Sequence, residues 1–397
     1  MLYTSRGMAF YGLQKGYGDK MNFKRVEFSE DITAQVLAFD AVLPPEGVPD
    51  VLVQDEEGAY WLRIKAPKAA KVQLEINTDL YDFKKGGDDI WCVRLPVTGG
   101  LHYIHLLIDG TLWLSPYLPI GYGYSRPCNT IALPEESGSF YGLRDVPHGK
   151  LIRDYFYASV TGRWESCMIY TPPCYEEAPE EIFPVLYLQH GHGENECGWS
   201  AAGRVPFILD NLIAAGKCTP FAVVMNNGMV QKKAGDNRIV DFTLFDRYLT
   251  EDIIPFAERR YRVGRSKEKR AMAGLSMGSL QTSMAGFRHP ELFSALGIFS
   301  GFLYDWIQGS EIDMVERGAG DNSHLAFLED REKVAKSFRI FFRAIGDKDP
   351  FLEYFKEDDV RCEKSGIRQE RRIYEGIHDW NVWRQCIRDF AQLIFRP

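Results

Sequence analysis

At 397 residues the chain is longer than one ordinary core needs, and its 45% apolar and 13% aromatic content is ample to fill two. A formal net charge of −8 without any long Lys/Arg-rich block argues against nucleic acid or an anionic membrane as partner and favours a neutral substrate. No stretch approaches ~18 uninterrupted apolar residues, and Met1 to Gly18 mixes aromatics, glycines and charges where a secretory signal needs a continuous hydrophobic segment. The expectation is a cytoplasmic protein, although a chain that had lost a cleaved signal would read the same way. The eight cysteines include no Cys-x-x-Cys and read as buried free thiols. His190 and His192 are two apart with no third ligand at helical spacing, so no metal is expected.

In chain order, residues 1–50 form an N-terminal extension with no pattern to separate an extra strand from a dimerisation arm, which leaves a homo-oligomer open. From 51 to 133 short strands alternate: Tyr60, Leu62 and Ile64, then Val72, Leu74 and Ile76, then Trp91, Val93 and Leu95, then Tyr103 to Ile108 ending at Asp109-Gly110. This predicts a small antiparallel β-sandwich. Residues 134–150 have the composition of a linker.

From 151 to 397 the period changes. Apolar runs at Pro184 to Leu188, Phe221 to Met225, Ala271 to Leu275, Ala295 to Phe299, Arg339 to Ile345 and Glu370 to Tyr374 alternate with helix-like stretches such as Arg204 to Ala215 and Asp246 to Arg260. Continuous apolar strands between helices predict an α/β domain with a mostly parallel central sheet. The segments Gly228 to Val240 and Phe302 to His324 read as loops.

Within that domain Gly274-Leu275-Ser276-Met277-Gly278 has an apolar strand before it and a helix-compatible run after it. A strand-to-helix turn this tight exposes a serine hydroxyl, and a β-carbon at either glycine would collide with its neighbours. Serine is a weak nucleophile and needs a base, a carboxylate to orient the base, and donors for an oxyanion. Val185 to Leu188 runs into Gln189-His190-Gly191-His192-Gly193-Glu194, so the N–H groups of His192 and Met277 are the oxyanion candidates, with His190 bracing the turn. The strand Arg339 to Ile345 ends in Gly346-Asp347-Lys348-Asp349-Pro350, which offers two carboxylates. Tyr374-Glu375-Gly376-Ile377-His378-Asp379-Trp380 supplies the base, His378. The order Ser276, Asp349, His378 is that of an α/β-hydrolase. Trp199 and Trp380 are candidate contacts for an aromatic acyl group or a sugar, with a place in the core wall as the alternative.

These motifs carry a resemblance. Tyr-Thr-Pro-Pro at 170–173, His-Gly-x-Gly-Glu at 190–194, Trp199, Asp-Asn-Leu-Ile at 210–213, Gly-x-Ser-Met-Gly at 274–278 and His-x-Trp-x-x-Trp at 378–383 make residues 151–397 similar to the esterase D/feruloyl esterase family of carbohydrate esterases. Residues 51–133 resemble, more loosely, the immunoglobulin-like module related to family 48 carbohydrate-binding modules. That match rests on Asp-Glu-Glu-Gly at 55–58, Ala66-Pro67, Trp91 and Asp109-Gly110. The resemblance implies a serine ester hydrolase without cofactor that removes feruloyl or acetyl groups from xylan-derived oligosaccharides, and it favours Asp349 over Asp347 as the acid. The rivals are a siderophore esterase and a glycan-binding protein on an inactive hydrolase scaffold.

Overall fold

The computed structural model describes residues 22–25, 46–134, 140–303, 315–316 and 322–396. By its internal contacts the chain divides into two units, Met1–Gly121 with Pro127–Glu135, and Tyr122–Arg126 with Glu136–Pro397. Most of the expected extension (1–21 and 26–45), residues 135–139 of the expected linker and residues 304–314 and 317–321 of the second expected loop lie outside the described residues.

In the first unit strict alternation of apolar and polar residues builds two antiparallel sheets on one core. Leu52–Gln54, Tyr60–Lys65 and Ile90–Arg94 belong to one sheet, and Val72–Ile76 and Gly100–Ile108 to the other. Leu62, Ile64, Val72, Leu74, Ile104 and Leu106 fill the space they share. The Trp91 ring lies in this core, with its indole N–H donating to the Ala66 carbonyl at 2.9 Å.

The second unit is organised by one eight-stranded sheet. Its strands are β1 (Lys150–Ala158), β2 (Arg163–Thr171), β3 (Val185–Gln189), β4 (Ala222–Asn226), β5 (Arg270–Leu275), β6 (Ala295–Phe299), β7 (Ile340–Gly346) and β8 (Glu370–Tyr374). Their spatial order is β1-β2-β4-β3-β5-β6-β7-β8. β1 and β2 pair antiparallel, β2 joins β4 antiparallel, and the other pairs are parallel. The central strands β3, β4, β5 and β6 are buried throughout, as their uninterrupted apolar runs require.

One face of the sheet packs Tyr187, Val224, Met272 and Leu296 against Tyr248, Ile253, Ala285 and Phe287. On the other, Phe299 meets Trp199 and Phe390 edge to face. The helices that flank the site are α1 (Val205–Ala214), α2 (Met277–Arg288), α3 (Leu352–Ser365) and α4 (Trp380–Ala391). No helix among the described residues is long and apolar enough to cross a membrane.

Three expectations need correction. Residues 140–149 are not a free linker: the Asn211 side chain donates to the carbonyls of Phe140 and Gly142, and Asp210 accepts from Gly149 N–H and pairs with His148 at 2.9 Å. The Asp-Asn pair at 210–211 therefore anchors this segment to α1. Second, Gly228 to Val240 is no irregular loop, since Gln231–Ala234 and Asn237–Asp241 form an antiparallel hairpin whose charged sequence conceals its alternation. Third, the stretch Asp246 to Arg260 is not a uniform α-helix. It contains a π-helical segment, Tyr248–Ile253, whose Asp252 accepts hydrogen bonds from Ser159 and Val160 at the end of β1.

Candidate active site

Parallel strands bring their C-terminal ends to one edge of a sheet, and the segments that follow β3, β5, β7 and β8 all emerge there. After β5 the chain turns at Ser276, whose φ of 51° and ψ of −118° lie outside the regions an L-residue normally visits. The turn is this tight because of its glycines: a Cβ on Gly274 would meet the Gly278 carbonyl at 2.2 Å, and one on Gly278 the His190 carbonyl at 2.6 Å. The Ser276 N–H donates to the Phe299 carbonyl at 2.9 Å and so fixes the turn to β6.

The loops after β7 and β8 are joined to each other by their backbones. Asp347 N–H donates to the Tyr374 carbonyl, Lys348 N–H to the Gly376 carbonyl, and Gly376 N–H returns to the Asp347 carboxylate. This pairing brings Asp349 to His378. The Nδ1–H of His378 donates to Asp349 Oδ2 at 2.8 Å, and the Ser276 hydroxyl donates to His378 Nε2 at 3.0 Å. The second carboxylate oxygen of Asp349 accepts the Phe351 N–H at 2.9 Å. Asp349 is buried whereas Asp347 is exposed, so the relay runs through the former.

The imidazole is also gripped by rings that sequence reasoning did not single out for this task. Phe351 and Trp383 approach it edge to face at 4.9 and 5.1 Å between centroids. Asp379, next in the chain, caps α4 by accepting from the N–H groups of Asn381 and Val382, which fixes the point where the histidine loop ends. The neighbouring signal was the cap residue itself, an Asp directly before a helix-like run.

The turn after β3 lies against the nucleophile: a Cβ on Gly191 would be 2.6 Å from Leu275 Cδ1 and 3.5 Å from Ser276 Cβ. Met277 opens α2, so its N–H is among the first-turn donors that an α-helix leaves without an internal acceptor. His192 follows Gly191 in the turn, with its ring edge-on to Phe242. His190 is fully buried, and burial holds its pKa below the ordinary 6.5. Its Nδ1–H donates to Gly191 O and its Nε2 accepts Gly228 N–H, both at 2.8 Å, so a neutral ring ties the turn to the start of the 228–241 segment. Ser125, in the Tyr122–Arg126 segment that groups with this unit, donates its N–H to the Gly193 carbonyl at 2.7 Å. Nothing in the sequence around residue 125 signalled that contact.

Trp199 and Trp380 are not on a ligand surface. They are 1% and 3% exposed, and their rings pack edge to face at 5.2 Å. The Trp199 indole N–H donates to Gln189 O at 2.8 Å, and that of Trp380 to Glu194 Oε1 at 3.0 Å. Both rings form the wall behind the turn after β3, where each buried N–H finds an acceptor and each large apolar body a packing partner. Trp199→Phe keeps the body and strands the Gln189 carbonyl. Denaturant unfolding is expected to show a loss of about 1–3 kcal/mol with KM for an aromatic ester unchanged. A KM rise without loss of stability would return Trp199 to the ligand surface.

A family model described as putative esterase matches residues 158–392, more than half of the chain. The chain belongs to this esterase family. It is 31% identical over 355 residues to an endo-1,4-beta-xylanase/feruloyl esterase of Xylanibacter ruminicola, covering 86% of this chain and 45% of that protein. The chain spans less than half the length of the curated relatives it matches. A solved ferulic acid esterase is similar with a TM-score of 0.54 and 26% identity, over 62% of this esterase and 97% of that chain. The enterobactin esterase FES of Shigella flexneri matches with a TM-score of 0.60 over 87% of this esterase and 93% of that chain; at 14% identity this likeness is one of fold. The second unit has the α/β-hydrolase fold.

Proposed function

We propose that this esterase is a serine carboxylic ester hydrolase that removes feruloyl groups from xylan-derived carbohydrates. The observation that carries the reading is the unbroken relay from Ser276 through His378 to Asp349, at 3.0 and 2.8 Å. Ser276 Oγ attacks the ester carbonyl while its proton passes to His378 Nε2, and the tetrahedral oxyanion is held by the N–H groups of Met277 and His192. Collapse expels the sugar alkoxide, which takes the proton from His378 and leaves an acyl-serine. Water then attacks the acyl carbon, giving its proton to His378; ferulate leaves and Ser276 recovers its hydroxyl. Asp349 keeps the Nδ1–H tautomer and faces the imidazolium as it forms.

The feruloyl preference rests on the likeness to the xylanase/feruloyl esterase and to the ferulic acid esterase. In the same reading the first unit is an immunoglobulin-like β-sandwich related to carbohydrate-binding modules, and the protein works in a reducing, cytoplasmic setting, which a sequence of eight cysteines with no Cys-x-x-Cys suits. The test is kcat/KM measured side by side on feruloylated xylo-oligosaccharide, acetylated xylo-oligosaccharide and a catecholate trilactone siderophore. The feruloylated substrate is expected to lead by about tenfold or more, the range an added apolar acyl contact supplies. A lead for the trilactone, or retention on xylan without turnover of any ester, would overturn the reading.

A further inference from the structure

The hairpin of β1 and β2 carries large rings on the wrong side for a core. Tyr155, Tyr157 and Trp164 are 58%, 59% and 69% exposed, whereas Phe156 and Ala158 between and beside them enter the core. Tyr157 lies directly opposite Trp164 across the pair and Tyr155 opposite Ser166, so the three rings share one face of the hairpin. Tyr157 and Trp164 meet edge to face at 6.1 Å. Scattered single exposed apolar residues need no explanation, but three adjoining rings do.

The patch is rigid and sits on the catalytic rim. Cys167 of β2 pairs with Asn226, the last residue of β4, so Trp164 and Ser166 extend past the C-terminal end of β4, the edge from which Ser276 emerges. The Ser166 hydroxyl donates to Glu196 at 2.6 Å, and Arg153 donates to Cys197 Sγ at 2.8 Å. Both acceptors follow closely on the turn that abuts Ser276. Arg163 pairs with Glu165 and donates to Gln231, and Asp252 holds Ser159 and Val160, so both strands are fixed where the rings project. Three strand spacings separate β2 from β5, about 15 Å. An oligosaccharide carrying the ester reaches that far and a simple alkyl ester does not.

We propose that Tyr155, Tyr157 and Trp164 form a platform for the sugar chain of the acylated substrate, an outlying binding site continuous with the catalytic rim. Pyranose rings present C–H faces that stack on aromatic rings, and their hydroxyls find the phenols, Ser166 and Glu196 at the border of the patch. The carboxylates and guanidinium nearest the rings are already engaged within the protein, which suits a neutral glycan. The area is too small for a second copy of the chain: three rings of roughly 150–250 Å² each, about 60% exposed, present on the order of 400 Å², against the ~800 Å² per partner of a stable interface.

This inference rests on the ester-hydrolase reading for its ligand but is tested apart from turnover. Tyr157→Ala/Trp164→Ala is introduced into the 397-residue Ser276→Ala chain, and migration is compared in native gels containing soluble arabinoxylan. Retardation is expected to weaken by about tenfold in Kd, and Tyr157→Phe/Trp164→Phe, which keeps the ring faces, to restore most of it. In the active protein the same double alanine change is expected to raise KM about tenfold on feruloylated oligosaccharide while methyl ferulate kinetics stay within about twofold. Unchanged retardation, equal losses on both esters, or a concentration-dependent dimer abolished by the alanine pair would overturn the platform. Wild-type protein that hydrolyses no ester would sink the hydrolase reading, and the gel measurement would still judge the platform.

Discussion

Ser276→Ala is expected to lower kcat by about 10⁶-fold, with a residual rate above that in water from the oxyanion donors and from binding. The hydroxyl is the group on the relay placed to form the acyl bond, and His378 Nε2 faces it at 3.0 Å. The two residues act as one unit, so His378→Ala should cost about as much, and the double change no more than either. Side-by-side kcat values on p-nitrophenyl acetate and methyl ferulate, with melting curves to confirm the fold, decide the matter. Losses that multiply in the double variant would mean two independent contributions and would break the relay.

The second large effect discriminates two carboxylates two residues apart. Asp349→Asn is expected to reduce kcat by about 10⁴-fold, and the reason lies in how the side chain is held. One oxygen accepts the Phe351 N–H, so the amide carbonyl must stay there and the amide nitrogen must face His378. The imidazole then has to present an unprotonated Nδ1, its proton moves to Nε2, and the atom that should accept the serine proton is blocked. Asp347→Asn meets no such conflict. Its contact is a single acceptance from Gly376 N–H, which an amide carbonyl also provides, and kcat should stay within about threefold. The reverse ranking would move the acid to Asp347.

Much of the second unit was legible because its central strands are buried on both faces and so read as uninterrupted apolar runs. The strands predicted at 184–188, 221–225, 271–275 and 295–299 lie within one residue of the observed ones. The β1–β2 hairpin was not legible. It is the exposed edge of the sheet, and Tyr155, Tyr157 and Trp164 on its solvent face mask the polar half of the alternation. The nucleophile turn, the histidine loop and the turn after β3 could each be read because glycine, serine and histidine are constrained there by local backbone geometry and chemistry. A tryptophan carries no such local constraint. Trp199 and Trp380 fit a pocket and a core wall equally well by composition, and only the partners of their indole N–H groups place them in the wall.

By itself the sequence determined the kinds of chemistry available and their order along the chain: a serine on a strained turn, a carboxylate after one strand and an imidazole after the next. Only the tertiary structure decided which carboxylate faces the imidazole, which tryptophans are hidden and which rings meet solvent. Those choices depend on hydrogen bonds and packing between segments far apart in the chain, such as the pairing of the loop at 346–349 with that at 374–378. Local residue pattern cannot encode that geometry, because it is set by which strands lie side by side in the sheet.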